Sequence, residues 1–279
     1  MATPIPEGRY HRLRSGLRLH FTEIGTPSTT KPSVLFIHGG GPGASGYSNF
    51  KRNLPVIAAA GYHVVAPDLL GYGLSDKPDD IDYTSTLHLG TLRELVAALG
   101  IASVVPLGNS LGGNIALEYA LDYPESVPAL ALTAPGGVAH PATFWGETEG
   151  GRALAAYGQD APLGEDAFRE LMSLLVHTAS TVDDALMSER YAVSLMQPRC
   201  VFTSIRVQPT WERLHEIECP ILCFWGADDR CLPHRLALVL LEKCLDVKLV
   251  ISNGAGHWYM LELPDDFNRE LIDFLGSVR

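Results

Sequence analysis

The chain has 279 residues, 46% of them hydrophobic, which is enough for one large core without disulfides to hold it together. A formal net charge of -11, with no basic run, argues against nucleic acid or an anionic membrane as partner, because phosphate would be repelled rather than neutralised. Residues 1–18 mix Pro, Arg and His without an apolar segment, so no signal peptide or transmembrane helix is expected and the cytoplasm is the expected compartment.

In chain order, residues 9–24 read as a β-hairpin closed near Ser15 and Gly16, lying antiparallel on one edge of a sheet. Short apolar β-type runs follow at 34–38, 63–67, 104–107, 129–133, 221–225 and 248–251, with helical stretches between most of them. Near-continuous apolar strands alternating with helices indicate a parallel sheet covered on both faces, where ligands collect at the carboxyl ends of the strands. Between about 138 and 214 the strand rhythm stops. Helices are expected there, including 165–179 and 182–195, and the segment reads as a lid (138–214) inserted into a core made of 1–137 and 215–279. Phe168, Leu171, Met172 and Leu175 recur at helical spacing as one apolar stripe, suited to core or lid packing. The five cysteines, Cys200, Cys219, Cys223, Cys231 and Cys244, are odd in number and clustered late, so free thiols are expected rather than a disulfide framework. No second Cys/His pair supports zinc, and no metal or organic cofactor is expected.

Ser110 sits in G-N-S-L-G, between the apolar run 104–107 and the helix-forming run 115–120. A strand that turns abruptly into a helix leaves no room for bulky neighbours, which is why Gly108 and Gly112 flank the serine of a nucleophile elbow. A serine hydroxyl is a poor nucleophile at neutral pH and needs a base, which in turn needs a carboxylate to orient it. Both candidates lie downstream. The run 221–225 ends in G-A-D-D-R and the run 248–251 is followed by N-G-A-G-H-W, which places an acid and His257 on neighbouring strand-end loops. Serine, acid, histidine is the α/β-hydrolase chain order. Asp228 and Asp229 compete for the acid role; in hydrolases of this fold the acid usually stands as G-x-x-D, a likeness that selects Asp229, while Asp68, in D-L-L-G-Y-G, suits turn capping. H-G-G-G-P-G, from His38 to Gly43, lets backbone approach a substrate, so that the N–H of Gly40 can join that of Leu111 as an oxyanion hole. The start of the helix after Ser110 adds a favourable dipole for negative charge.

Together, H-G-G-G-P-G-A-S-G-Y-S-N-F, G-N-S-L-G-G, W-G-A-D-D-R and G-H-W resemble the meta-cleavage product hydrolases, carbon–carbon bond hydrolases of bacterial aromatic degradation. The likeness covers roughly 33–135 and 219–275. It implies an α/β-hydrolase fold with a mostly parallel eight-stranded sheet and a helical lid. It also implies Ser110, Asp229 and His257 as the triad, Gly40 and Leu111 as oxyanion donors, and Asn49, Asn109, Arg190 and Trp258 as substrate-binding groups. The implied substrate is a small-molecule dienol carboxylate of the 2-hydroxy-6-oxohexa-2,4-dienoate type, and the implied assembly a homo-oligomer. Arg190 suits the carboxylate. After the histidine the chain reads W-Y-M-L-E where W-A-Q-W-E is frequent in the family, so Tyr259 and Met260 either pack in the core or reshape the space for the group on the ketone. Two alternative readings share the triad: a carboxylesterase or proline iminopeptidase, and a ligand receptor built on the same fold.

Overall fold

The Val-, Leu- and Ile-rich runs form a single eight-stranded sheet in the order β1-β2-β4-β3-β5-β6-β7-β8. The strands are β1 Arg9–Arg12, β2 Arg18–Ile24, β3 Ser33–Ile37, β4 Val64–Pro67, β5 Val104–Ser110, β6 Leu130–Pro135, β7 Ile221–Gly226 and β8 Val247–Ser252. The computed structural model describes residues 8–160 and 162–278. β1 and β2 make the expected hairpin, and β2 lies antiparallel on β4; all other neighbours are parallel. This is the α/β-hydrolase fold.

Because side chains alternate along a strand, the sheet feeds two cores. In β3, Leu35 and Ile37 point to the side covered by the helices Ser85–Ala98 and Leu111–Asp122, where Leu92 and Ile115 are fully buried. Val34 and Phe36 point to the other side, against Phe50, Leu54, Phe267 and Leu271 from the helices Gly46–Phe50, Leu54–Ala59 and Pro264–Ser277. β3, β4, β6 and β7 are buried along their whole length, as strands covered on both faces must be. The edge strand β8 is partly exposed.

Between β6 and β7 the chain forms the helices Glu149–Asp160, Glu165–Ser173, Asp184–Ser194 and Cys200–Thr203. The described residues of that stretch touch a strand pattern only at an isolated bridge between Thr84 and Arg206. The helix expected over 165–179 stops at Ser173. The backbone beyond it is committed elsewhere: the N–H of His257 donates to Leu175 O at 2.9 Å, and the N–H groups of His177 and Thr178 donate to the Glu262 carboxylate at 2.7 and 3.0 Å. The next helix starts two residues later than expected, after Asp183, whose side chain caps it by accepting the N–H of Leu186 at 2.8 Å. Among the described residues no helix is long and apolar enough to cross a membrane.

Candidate active site

The carboxyl ends of β3, β5, β7 and β8 deliver the four loops on which the sequence placed its chemistry. β5 runs straight through Ser110 into the helix Leu111–Asp122, with a register shift against β6 between Asn109 and Ser110. Ser110 is held at φ 55° and ψ -116°, a conformation that costs an L-residue of order 1–3 kcal/mol. A Cβ at Gly108 would lie 2.1 Å from Gly112 O, and one at Gly112 would lie 2.1 Å from Ile37 O. The two glycines of the elbow are therefore required by close backbone approach.

Asp229, at the end of β7, accepts the His257 Nδ1–H at 2.8 Å through Oδ2, and its other oxygen accepts the N–H groups of Cys231 and Leu232 at 2.7 and 2.9 Å. Both side chains are buried. Asp228 faces the opposite way, accepting from Gly254 N–H at 2.9 Å beside His177. Adjacent residues of one loop thus have different neighbours, and only Asp229 meets the imidazole. Among the described residues, the Ser110 hydroxyl makes no hydrogen bond to His257. Their backbones are nonetheless tied, because Asn109 Nδ2 donates to His257 O at 3.3 Å and to Thr133 O at 3.1 Å. Cys231 lies beside the acid–histidine pair, the ligand-type atoms of all three being within 4.8 Å of one another. Burial pushes its thiol well up, and the Asp229–His257 hydrogen bond occupies the lone pairs a metal would use. All five cysteines are free.

Arg190, on the helix Asp184–Ser194, is 1% exposed and organises the opposite side of the site. Its guanidinium donates to Asn49 Oδ1 at 3.0 Å, to Ser48 Oγ at 3.4 Å and to Pro42 O at 3.3 Å, and its plane lies over the Trp258 ring at 4.4 Å. Arginine has only donors, so Asn49 must offer its oxygen there and its Nδ2 to Asn109 Oδ1, at 3.1 Å. One directed chain therefore runs from Arg190 through Asn49 and Asn109 to the carbonyl of His257. Among the described residues every acceptor that Arg190 bonds is neutral, its Nε has no partner, and burial pushes the guanidinium down to about 9, only partly offset by the nearby charge of Glu189. Glu189 bonds to Lys51 at 3.1 Å instead, so the buried cation has no carboxylate in direct contact.

The oxyanion donors expected at Gly40 and Leu111 are close: a Cβ at Gly40 would lie 2.9 Å from Leu111 Cδ2. The N–H of Leu111, at the start of a helix, has no intrahelical partner. The peptide that carries the Gly40 N–H is held at its carbonyl by His38, which donates to Gly39 O at 2.8 Å, and the following peptide by Tyr72, which donates to Gly40 O at 3.1 Å. Ser110 and Leu111 line a cavity of about 440 Å³.

Three supporting residues were not singled out in the sequence. Glu262 accepts from Gly256, His177 and Thr178, clamping the loop before His257 to the helical segment. His38 donates to Gly39 O at 2.8 Å and accepts from Leu69 N–H at 3.0 Å, while burial pushes it down to about 4, so it is a neutral brace for the glycine run. Ser48 shares Arg190 with Asn49; the motif text S-N-F was its only signal. Tyr259 and Met260 are core residues, Tyr259 being anchored by Ser252 and Asp266.

A family model described as alpha/beta hydrolase fold matches residues 32–264. The sequence is 34% identical over 270 residues to a 2-hydroxy-6-oxononadienedioate/2-hydroxy-6-oxononatrienedioate hydrolase of Paraburkholderia phymatum, covering 94% of this chain and 92% of that one. It is 32% identical to a 2-hydroxy-6-oxo-6-phenylhexa-2,4-dienoate hydrolase of Burkholderia cepacia, covering 94% and 93%. Among solved structures, a meta-cleavage product hydrolase from Pseudomonas fluorescens IP01 superposes with a TM-score of 0.83 at 27% identity, covering 98% of both chains.

Proposed function

From the premise that the chain belongs to the α/β hydrolase fold family and, within it, to the meta-cleavage product hydrolases, we infer that it hydrolyses a carbon–carbon bond in a 2-hydroxy-6-oxohexa-2,4-dienoate ring-fission product. The products are a 2-hydroxypenta-2,4-dienoate and a carboxylic acid. The observation that carries this reading beyond a generic esterase is Arg190: a buried guanidinium that bonds no carboxylate among the described residues, joined through Asn49 and Asn109 to the loop of His257. A simple ester has no carboxylate to offer it.

In this reading the substrate carboxylate binds Arg190, with Trp258 against the guanidinium face and Asn49 and Asn109 beside the enol. The carbon next to the scissile bond takes up a proton, assisted by His257, as the 2-hydroxyl gives one up. The fragment can then leave as a stabilised enolate instead of a bare carbanion. Ser110 Oγ bonds to the ketone carbon, its proton passes to His257, and the N–H groups of Gly40 and Leu111 receive the negative oxygen. Asp229 holds the imidazole in the tautomer this requires. Collapse breaks the carbon–carbon bond, the electron pair leaves with the dienol fragment, and water splits the acyl–serine ester. The helical segment 138–214 serves as the lid that carries Arg190 to the site. The test is to incubate the pure protein with coloured dienolates and with simple aryl esters. Loss of dienolate absorbance is expected; efficient ester turnover with unchanged dienolate absorbance overturns the assignment.

A further inference from the structure

The cavity that opens on Ser110 begins at Gly41 and Pro42, beside Arg190, and among the described residues none that line it is charged. Its walls are Phe144, Trp145, Leu154, Tyr157, Phe202 and Ile205, contributed by three separate pieces of the chain. The aromatic rings meet edge to face, Tyr157 against Phe202 at 5.1 Å between centroids and Phe144 against Trp145 at 6.4 Å. Arginines on these same elements point elsewhere. Arg152, Arg199 and Arg206 are exposed and donate to the backbone carbonyls of Gly146, Gln159 and Ile205 respectively. The guanidinium of Arg190 approaches the cavity from behind, its NH2 lying 3.6 Å from where a Cβ at Gly41 would sit, at the end beside the oxyanion donors.

One buried cation can neutralise one carboxylate. The relative from Paraburkholderia phymatum is named for a dioate, which carries a second carboxylate beyond the ketone, whereas the Burkholderia cepacia relative is named for a 6-phenyl compound. An ionised carboxylate in an uncharged, aromatic-walled cavity loses its hydration without a compensating charge. Size bears on the question as well. An apolar cavity of about 150 Å³ accepts benzene, so a cavity of about 440 Å³, part of which next to residues 40–42 receives the dienoate, still has room for an aryl group against its aromatic walls, which a methyl would leave unfilled. We propose that the group on the ketone carbon is a neutral aryl group, and that this cavity, not the Arg190 end, selects it.

This assignment rests on the carbon–carbon hydrolase reading, so the experiment separates the two. Steady-state kcat/KM is measured for 2-hydroxy-6-oxohexa-2,4-dienoates whose sixth carbon bears phenyl, methyl or 2-carboxyethyl, with the wild type and with Trp145→Arg. Phenyl is expected to exceed 2-carboxyethyl by about 100-fold, with methyl between them. Trp145→Arg is expected to raise the carboxyethyl value about tenfold while lowering the phenyl value. Equal or better turnover of the carboxyethyl or methyl compound by the wild type overturns the aryl assignment and leaves the reaction class standing. Failure of all three compounds, with aryl esters turned over, overturns the reaction class. The acyl preference for benzoyl over succinyl esters of one alcohol then decides the cavity's selectivity, equal rates refuting it.

Discussion

Two buried histidine–aspartate pairs in this protein have the same geometry and different surroundings. His257 and Asp229 meet at 2.8 Å, and so do His20 and Asp68. All four side chains are buried. In the second pair both imidazole nitrogens are used, since Nε2 accepts from Gly8 N–H at 3.2 Å, and Asp68 is saturated by the N–H groups of Gly46 and Leu74, both at 2.8 Å. It staples the β2 edge to the turn after β4. In the first pair the imidazole follows the carboxyl end of β8, tied through Asn109 to the loop of a serine that lines a cavity. An acid–histidine hydrogen bond is thus a construction element in one place and, in our reading, a proton-handling device in the other. Its position at the strand ends and what faces its second nitrogen make the difference.

Substitutions that treat the pairs alike should separate them. Asp229→Asn is expected to lower kcat by about 10⁴-fold, because the imidazole loses the partner that fixes its tautomer, with the melting temperature little changed. Asp68→Asn is expected to do the reverse. It leaves a buried network short of its charge at a cost of about 3 kcal/mol in urea unfolding, while turnover per folded molecule is kept. If both variants lose activity equally at full stability, the distinction fails.

Arg190→Ala sharpens the contrast from the other side of the site. Removing the guanidinium should reduce kcat/KM for a dienoate by about 100-fold, the worth of a charge-assisted contact, and spare a neutral aryl ester. Equal losses on both substrates would make Arg190 a support for the helical segment only.

A third buried histidine supplies the smallest effect at neutral pH. Among the described residues neither ring nitrogen of His88 has a partner, and burial pushes it from 6.5 down to about 3. The unfolded chain therefore binds a proton near pH 6.5 that the folded one refuses until about pH 3, so stability falls as the pH drops through that window. His88→Leu should leave neutral-pH stability within about 1 kcal/mol and remove roughly 1.4 kcal/mol per pH unit from the acid limb of the unfolding free energy. An unchanged acid limb would mean that His88 finds a hydrogen-bond partner in solution.

Sequence reasoning had most to work with at the strand ends. Ser110, Asp229 and His257 each come after an apolar run and a glycine, and that combination has a local signature. Choosing Asp229 over Asp228 also used only local spacing, and the two carboxylates do have different neighbours. Asp68 could be read as a turn cap, since Leu74 is six residues away, but its partner His20 lies 48 residues upstream, where no local pattern points. Glu262 was unreadable for the same reason: two of its three donors are on His177 and Thr178, across 85 and 84 residues. That clamp also explains the helix that stopped early, because residues with good helical periodicity had their backbone claimed by a distant carboxylate. The apolar stripe at Phe168, Leu171, Met172 and Leu175 was visible as a stripe and is buried, yet periodicity could not say that Phe144, Tyr157 and Phe202 would converge on one cavity.

The backbone angle at Ser110 has an engineering consequence. A residue without a side chain adopts φ 55° freely, so at this one codon heat resistance and, in our reading of Ser110 as the nucleophile, chemistry favour different amino acids. A library ranked only by thermal shift would drift toward Gly at position 110 and enrich inert protein, so any campaign to harden this scaffold has to score turnover alongside melting.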